Sequence, residues 1–217
     1  MMQRLQYGPR AAALLLVLMQ LLIQLSGCAS SPPSTFYTLT AVTADRAEIA
    51  SLRGGQLAVG LGPVSFPRFL DRPQVVQRAG GNQLTLDEFN RWGGSLDDDF
   101  LRVFSENLGR ELRTSRIVVF PSELRLPLDF RVLAEIIAFE AGPADQAMLK
   151  VRWAVLNPST EEVLRMREDV YRQPLPAEAS IAQQVVALST ALAEFSQDVA
   201  RELQSLPRPQ PLSASTD

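Results

Sequence analysis

The sequence predicts an α/β fold: a single-domain sandwich in which a mixed, largely antiparallel sheet of about seven strands carries two long helices. Three observations lead there. Two segments, 95–113 and 180–206, repeat apolar residues every three or four positions, the period of a helix with one buried face. Shorter stretches alternate apolar and polar residues, the period of a strand. Turn-forming clusters separate several of these, "AGGN" and "NPST" among them, so the strands they join run antiparallel. The two helices interrupt the strand order and leave room for parallel pairs as well.

Taken in chain order, "FYTLT" (36–40) reads as a short strand and 44–55 as a loop or weak helix. In 56–64, Leu57, Val59 and Leu61 alternate with Gly60 and Gly62, a strand with one apolar face. The glycines there are no dinucleotide fingerprint, because Pro63 and Pro67 replace the helix that should follow. Segments 74–78 and 83–86 flank the Gly-Gly-Asn turn of a hairpin. The first helix follows, with Leu96, Phe100, Val103, Phe104, Leu108 and Leu112 on one face, Ser95 as N-cap and Asp98 completing a capping box. Strands are expected at 117–120, 128–139, 147–156 and 162–171. In the third of these, Leu149, Val151, Trp153 and Val155 oppose Lys150 and Arg152. The last helix carries Ile181, Val185, Leu188, Leu192, Phe195, Val199, Leu203 and Leu206; Ser180 and Gln183 form its capping box and Pro207 stops it.

The start of the chain has a different character. Arg4 and Arg10 precede an apolar run, residues 11–25, followed by Ser26, Gly27 and Cys28, the only cysteine. A lone cysteine closes no intramolecular disulfide. A helix of that length rises about 22 Å, short of a ~30 Å hydrocarbon core, so the layout is that of a signal peptide. "LSGC" resembles the lipobox of bacterial lipoproteins. That resemblance implies cleavage before Cys28, a diacylglycerol on its sulfur and an acyl chain on its new amino group; no other cofactor is expected. Ala29 and Ser30 lack the aspartate that signals inner-membrane retention in enteric-type bacteria, which favours the outer membrane with the domain in the periplasm. The expected organisation is a signal peptide at 1–27, a lipidated cysteine and flexible tether at 28–35, one domain at 36–206 and a disordered tail at 207–217.

Without the signal peptide the chain holds 19 basic and 24 acidic residues, a formal charge of −5. That argues against nucleic acid and against a polybasic grip on anionic lipid. There is no histidine, which removes Ser-His-Asp and Cys-His catalysis and the commonest metal ligand. No P-loop, G-x-S-x-G or H-E-x-x-H occurs. Asp97, Asp98 and Asp99 read as first-turn residues favoured by the helix dipole rather than as a cation site. Acidic residues are plentiful enough to leave a carboxylate-based hydrolase open, but none is singled out as a pair. Trp153 reads as core. Trp92 either staples the start of the first helix or faces a partner.

Several of these segments together resemble the PqiC/YmbA-type ABC-transport auxiliary lipoproteins: "FYTL" after the tether, "LGPVSFPRFLDRPQVVQR" (61–78), "EFNRWGGSL" (88–96) running into "FLRVFSENL" (100–108), Trp153 and the last helix. The chain departs from the pattern at Gly94-Ser95, where such proteins often carry an acidic residue and proline. The resemblance implies a domain similar to the N-terminal domain of TolB. It also implies a non-enzymatic role beside a cell-entry-type substrate-binding protein and an ABC or multispan inner-membrane subunit, moving lipid or hydrophobic solutes across the periplasm. A homo-oligomer is compatible with that role, and the rival reading is an assembly lipoprotein for another outer-membrane complex. For a partner surface, the sequence points to Phe66, Phe69, Asp71 and Arg72, where aromatics, prolines and charges share a short loop, and to Trp92; Phe66 and Phe69 as core with an Asp71–Arg72 ion pair is the competing account.

Overall fold

A computed structural model describes residues 32–42, 56–142 and 145–209, together with Ala13, Leu14, Leu16 and Gln20. Cys28, the expected loop at 44–55 and the tail from 210 onward lie outside the described residues.

The elements are β1 (Thr35–Tyr37), β2 (Val59–Ser65), β3 (Gln74–Gly80), β4 (Gln83–Trp92), α1 (Leu96–Glu111), β5 (Ile117–Val119), β6 (Phe130–Gly142), β7 (Gln146–Leu156), β8 (Val163–Pro174) and α2 (Ile181–Ser205). The eight strands form one sheet organised around β6. One edge of β6 pairs antiparallel with β7, which pairs antiparallel with β8. Its other edge is shared: β2 lies parallel to the first half and β3 meets it at Ala141. β5 extends the β2 branch, and β4 and then β1 extend the β3 branch.

The expected α/β sheet with two helices is present, its eight strands falling on the eight segments read as strands, with far more parallel pairing than expected. Of the seven described pairings, four are parallel. The three antiparallel ladders all join strands adjacent in sequence, whereas every parallel pair joins distant ones. Turn residues announce the first kind. The second kind depends on where the crossovers deliver the chain, which no local signal states.

The helices cover one face. β7 presents Ala147, Leu149, Val151, Trp153 and Val155 to them, all at most 1% exposed. β6 contributes Phe130, Val132, Ala134 and Ile136, then a bulge that keeps Phe139 on the same face. Phe104 of α1 stacks on Phe195 of α2 at 4.9 Å, and Phe195 meets the edge of Trp153 at 6.0 Å. Phe100 reaches Phe139 at 5.5 Å, so one aromatic chain ties both helices to the sheet.

On the opposite face the glycines of β2 make room. A Cβ on Gly60 would stand 2.7 Å from the Phe120 ring and 2.8 Å from Leu128. The segment between β5 and β6 therefore packs directly on the β2 backbone, with Arg131 over Phe120 at 4.8 Å.

After β1 the chain passes along α1 and α2, where side chains satisfy its backbone. The amides of Leu39, Thr40 and Val42 donate to Asp99 Oδ2, Ser189 Oγ and Asn107 Oδ1, and Arg102 donates to the Leu39 carbonyl. Asp99 is thus more than a first-turn charge. The α2 capping box forms as expected. At α1, Ser95 is the N-cap, but no side-chain cap bond forms and the capping box with Asp98 is absent; the Ser95 hydroxyl donates to the Asp97 carboxylate instead.

Candidate functional site

The loop singled out in the sequence forms a series of tight turns between β2 and β3. Leu70 N donates to Pro67 O, Asp71 N to Arg68 O and Arg72 N to Leu70 O. Leu70, 2% exposed, fastens it to the core. Trp92 N donates to Pro73 O at 2.7 Å and Gly93 N to Tyr37 O at 2.7 Å, so the end of the loop, the end of β4 and β1 converge just ahead of α1. A cleft of about 400 Å³ lies there, between Phe66, Asp71, Arg72 and Pro73 on one side and Ser95 and Leu96 on the other.

The five sequence-selected residues divide into three groups. Phe66 and Phe69 are half-buried and pack against the core, Phe66 edge-on to Phe100 at 5.3 Å. Trp92 is 5% exposed and belongs to the core, which fits its role beneath the start of the helix and removes it from the surface; its place as a partner contact is corrected accordingly. Asp71 is exposed and Arg72 half-buried, and among the described residues they form no ion pair with each other. Among the described residues, the Arg72 Nε is enclosed and has no hydrogen-bond partner. An enclosed donor left unpaired costs about 1–3 kcal/mol.

Other charged groups are committed to the fold. Arg152 bridges Glu135 and Glu168 on the open face of the sheet, and Lys150 joins Glu168. Arg165 pairs with Glu202 at 2.7 Å, locking β8 to α2. Trp153 Nε1 donates to Asp169 at 2.9 Å, and the Tyr171 hydroxyl donates to Asp198 at 3.0 Å. Glu140 is 1% exposed and held by Arg78 at 2.6 Å. Sequence reasoning missed that pair; a glutamate inside the apolar run of β6 was its one visible signal.

The carboxylates with displaced titration are both displaced downward. Asp87 is lowered by the Asn90 amide that donates to it, and Glu168 by Lys150 and then Arg152. That is the behaviour of a permanently ionised group, opposite to the raised carboxyl of a general acid. Among the described residues, no cluster of three or more potential metal ligands occurs, and no helix is long and apolar enough to cross a membrane.

Comparison with known proteins adds the family. Residues 37–200 match the family model described as the ABC-type transport auxiliary lipoprotein component. A crystal structure of a Xanthomonas campestris protein of the DUF330 family aligns with a TM-score of 0.62 at 16% identity, covering 79% of this chain and all of the other. A second crystal structure, of an uncharacterized protein, aligns with a TM-score of 0.63 at 17% identity, covering 79% of this chain and 99% of that one. At such identities these likenesses establish the fold. No curated protein matches the chain.

Proposed function

Because the chain belongs to the family of ABC-type transport auxiliary lipoprotein components, we propose that it serves as a non-enzymatic, outer-membrane lipoprotein subunit of a lipid-transporting ABC system with a cell-entry-type substrate-binding protein. Cys28 carries the lipid, the segment up to residue 35 acts as the tether, and the domain docks the periplasmic end of the assembly, supporting the passage of lipid or hydrophobic solute and the integrity of the outer membrane. The docking face is the cleft between the 66–73 loop and the start of α1. Arg72 carries that choice: it lines the cleft, and among the described residues its enclosed Nε has no hydrogen-bond partner.

The geometry selects the variant for the test. Replacing Phe69 would disturb packing, because it lies against the core, whereas Arg72→Ala removes an unpaired donor. Purification from membranes through a C-terminal tag should recover a substrate-binding or inner-membrane transporter subunit with the parent protein. It should recover several-fold less with Arg72→Ala at an unchanged melting temperature. Equal recovery with Arg72→Ala moves docking to another face. Recovery of a different outer-membrane complex, with no transporter subunit, replaces the transport role with an assembly role.

A further inference from the structure

Phenylalanine is distributed unevenly over the surface. Of the ten in the sequence, eight are buried or half-buried, and the two that are exposed lie on one ribbon, β1–β4. Phe36 is 63% exposed and Phe89 42%. In the parallel pairing of these strands Phe36 stands opposite Arg91, two residues beyond Phe89. Leu86, 38% exposed, lies further back along the same strand. Of the neighbouring charges, Arg91 and Glu88 face each other at 3.9 Å, and the Asp87 carboxylate accepts from the Phe89 amide.

The position of this ribbon in the chain identifies its occupant. Cys28 precedes Phe36 by eight residues. Even fully extended, that length reaches about 28 Å at ~3.5 Å per residue. With the lipid of Cys28 in a leaflet, β1 is therefore held within about 28 Å of the bilayer, whatever the tether's conformation. The acidic balance of the mature chain supplies no general electrostatic attraction to anionic headgroups. A contact there has to be apolar, and two exposed aromatic rings on neighbouring strands suit the boundary between headgroups and acyl chains.

We propose that the β1–β4 ribbon is a membrane-contact edge: Phe36 and Phe89 insert into the leaflet that holds the Cys28 lipid and fix the domain's orientation on it. The proposal rests on the lipid-anchor reading above and adds a second contact with the same bilayer. Anchored by lipid alone, the domain would tumble on its tether. Held at two points, it presents a constant face to the periplasm.

The test uses the mature lipidated protein in phospholipid vesicles with and without bromine on the acyl chains. Trp92 and Trp153, 5% and 1% exposed, give a shielded background. Phe36→Trp and Phe89→Trp each place an indole on the ribbon. Met166→Trp places one on the open face of β8, where Met166 is 62% exposed. In brominated vesicles the Phe36→Trp and Phe89→Trp proteins should lose emission, while Met166→Trp and the parent should not. If the proteins float with the vesicles and neither ribbon indole is quenched, the ribbon faces water or a protein and the inference falls while the anchor stands. Equal quenching at Met166→Trp also overturns it, since the contact then has no preferred edge. If the proteins do not float at all, the anchor reading fails and takes the inference with it.

Discussion

At Tyr171 a single hydroxyl couples α2 to the strand that ends the sheet. The ring packs 5.9 Å from Phe195, and the hydroxyl donates to Asp198 across the β8–α2 seam. Burial, and then the negative charge of Asp198, push its pKa far above the ordinary value of 10.0. A pKa raised by folding contributes stability that is complete below the unfolded-state value and is lost as pH rises above it. Chemical-denaturation curves should therefore show stability level up to about pH 10 and declining beyond it, where the unfolded phenol ionises first. Tyr171→Phe should lower stability by roughly 1 kcal/mol at neutral pH, the worth of an ordinary hydrogen bond, and flatten the decline above pH 10. An equally steep alkaline loss in that variant would assign it to other groups. Arg72 shows the same physics from the other side: its enclosed Nε has no partner among the described residues. The sequence could nominate Arg72 by its company of aromatics and prolines. That its Nε is enclosed and unpaired depends on how the turns after Pro67 wrap, and no residue pattern records this.

At the scale of elements, the helices were the most legible parts. The apolar stripe of α2 spans its whole length, and Ser180 with Gln183 caps it in the manner the spacing implies. The α1 stripe was equally clear, but its cap was not. Ser95 has acidic neighbours, and its hydroxyl is drawn to the charged Asp97 rather than to a backbone amide. Hairpins were legible because Gly80 and Gly81 adopt the positive φ that the "AGGN" turn requires. The parallel pairings of β2 with β5 and β6 were not. Their one trace was the pair of glycines on the second face of β2, explained only when Phe120 is found packed over them. Gly60→Ala tests that contact. Adding a methyl 2.7 Å from the Phe120 ring should cost about 1–3 kcal/mol, the usual penalty of overpacking. Shortening Phe120 in the same protein, by Phe120→Leu, should recover part of it. A Gly60→Ala protein as stable as the parent would show that the segment before β6 yields without cost.

For the molecule as a whole, the proposed lipidation, docking and membrane contact converge around β1 and the end of β4. The proposed anchor at Cys28 leads within a few residues to β1, and the chain after β1 is strapped to both helices through Asp99, Asn107 and Ser189. β1 in turn adjoins the end of β4 that opens into the cleft beside Arg72. A pull on the tether would thus be delivered to the core and not to a loose end. In the proposed arrangement the lipid has a mechanical role: it holds the proposed docking cleft at a limited distance from one bilayer. The most direct test is the intact mass of the protein extracted from membranes, with fragmentation of its N-terminal peptide. The account predicts a chain beginning at Cys28, with a diacylglyceryl group on sulfur and an acyl group on nitrogen. A chain that retains residues 1–27, or one cleaved elsewhere with an unmodified cysteine, would contradict it.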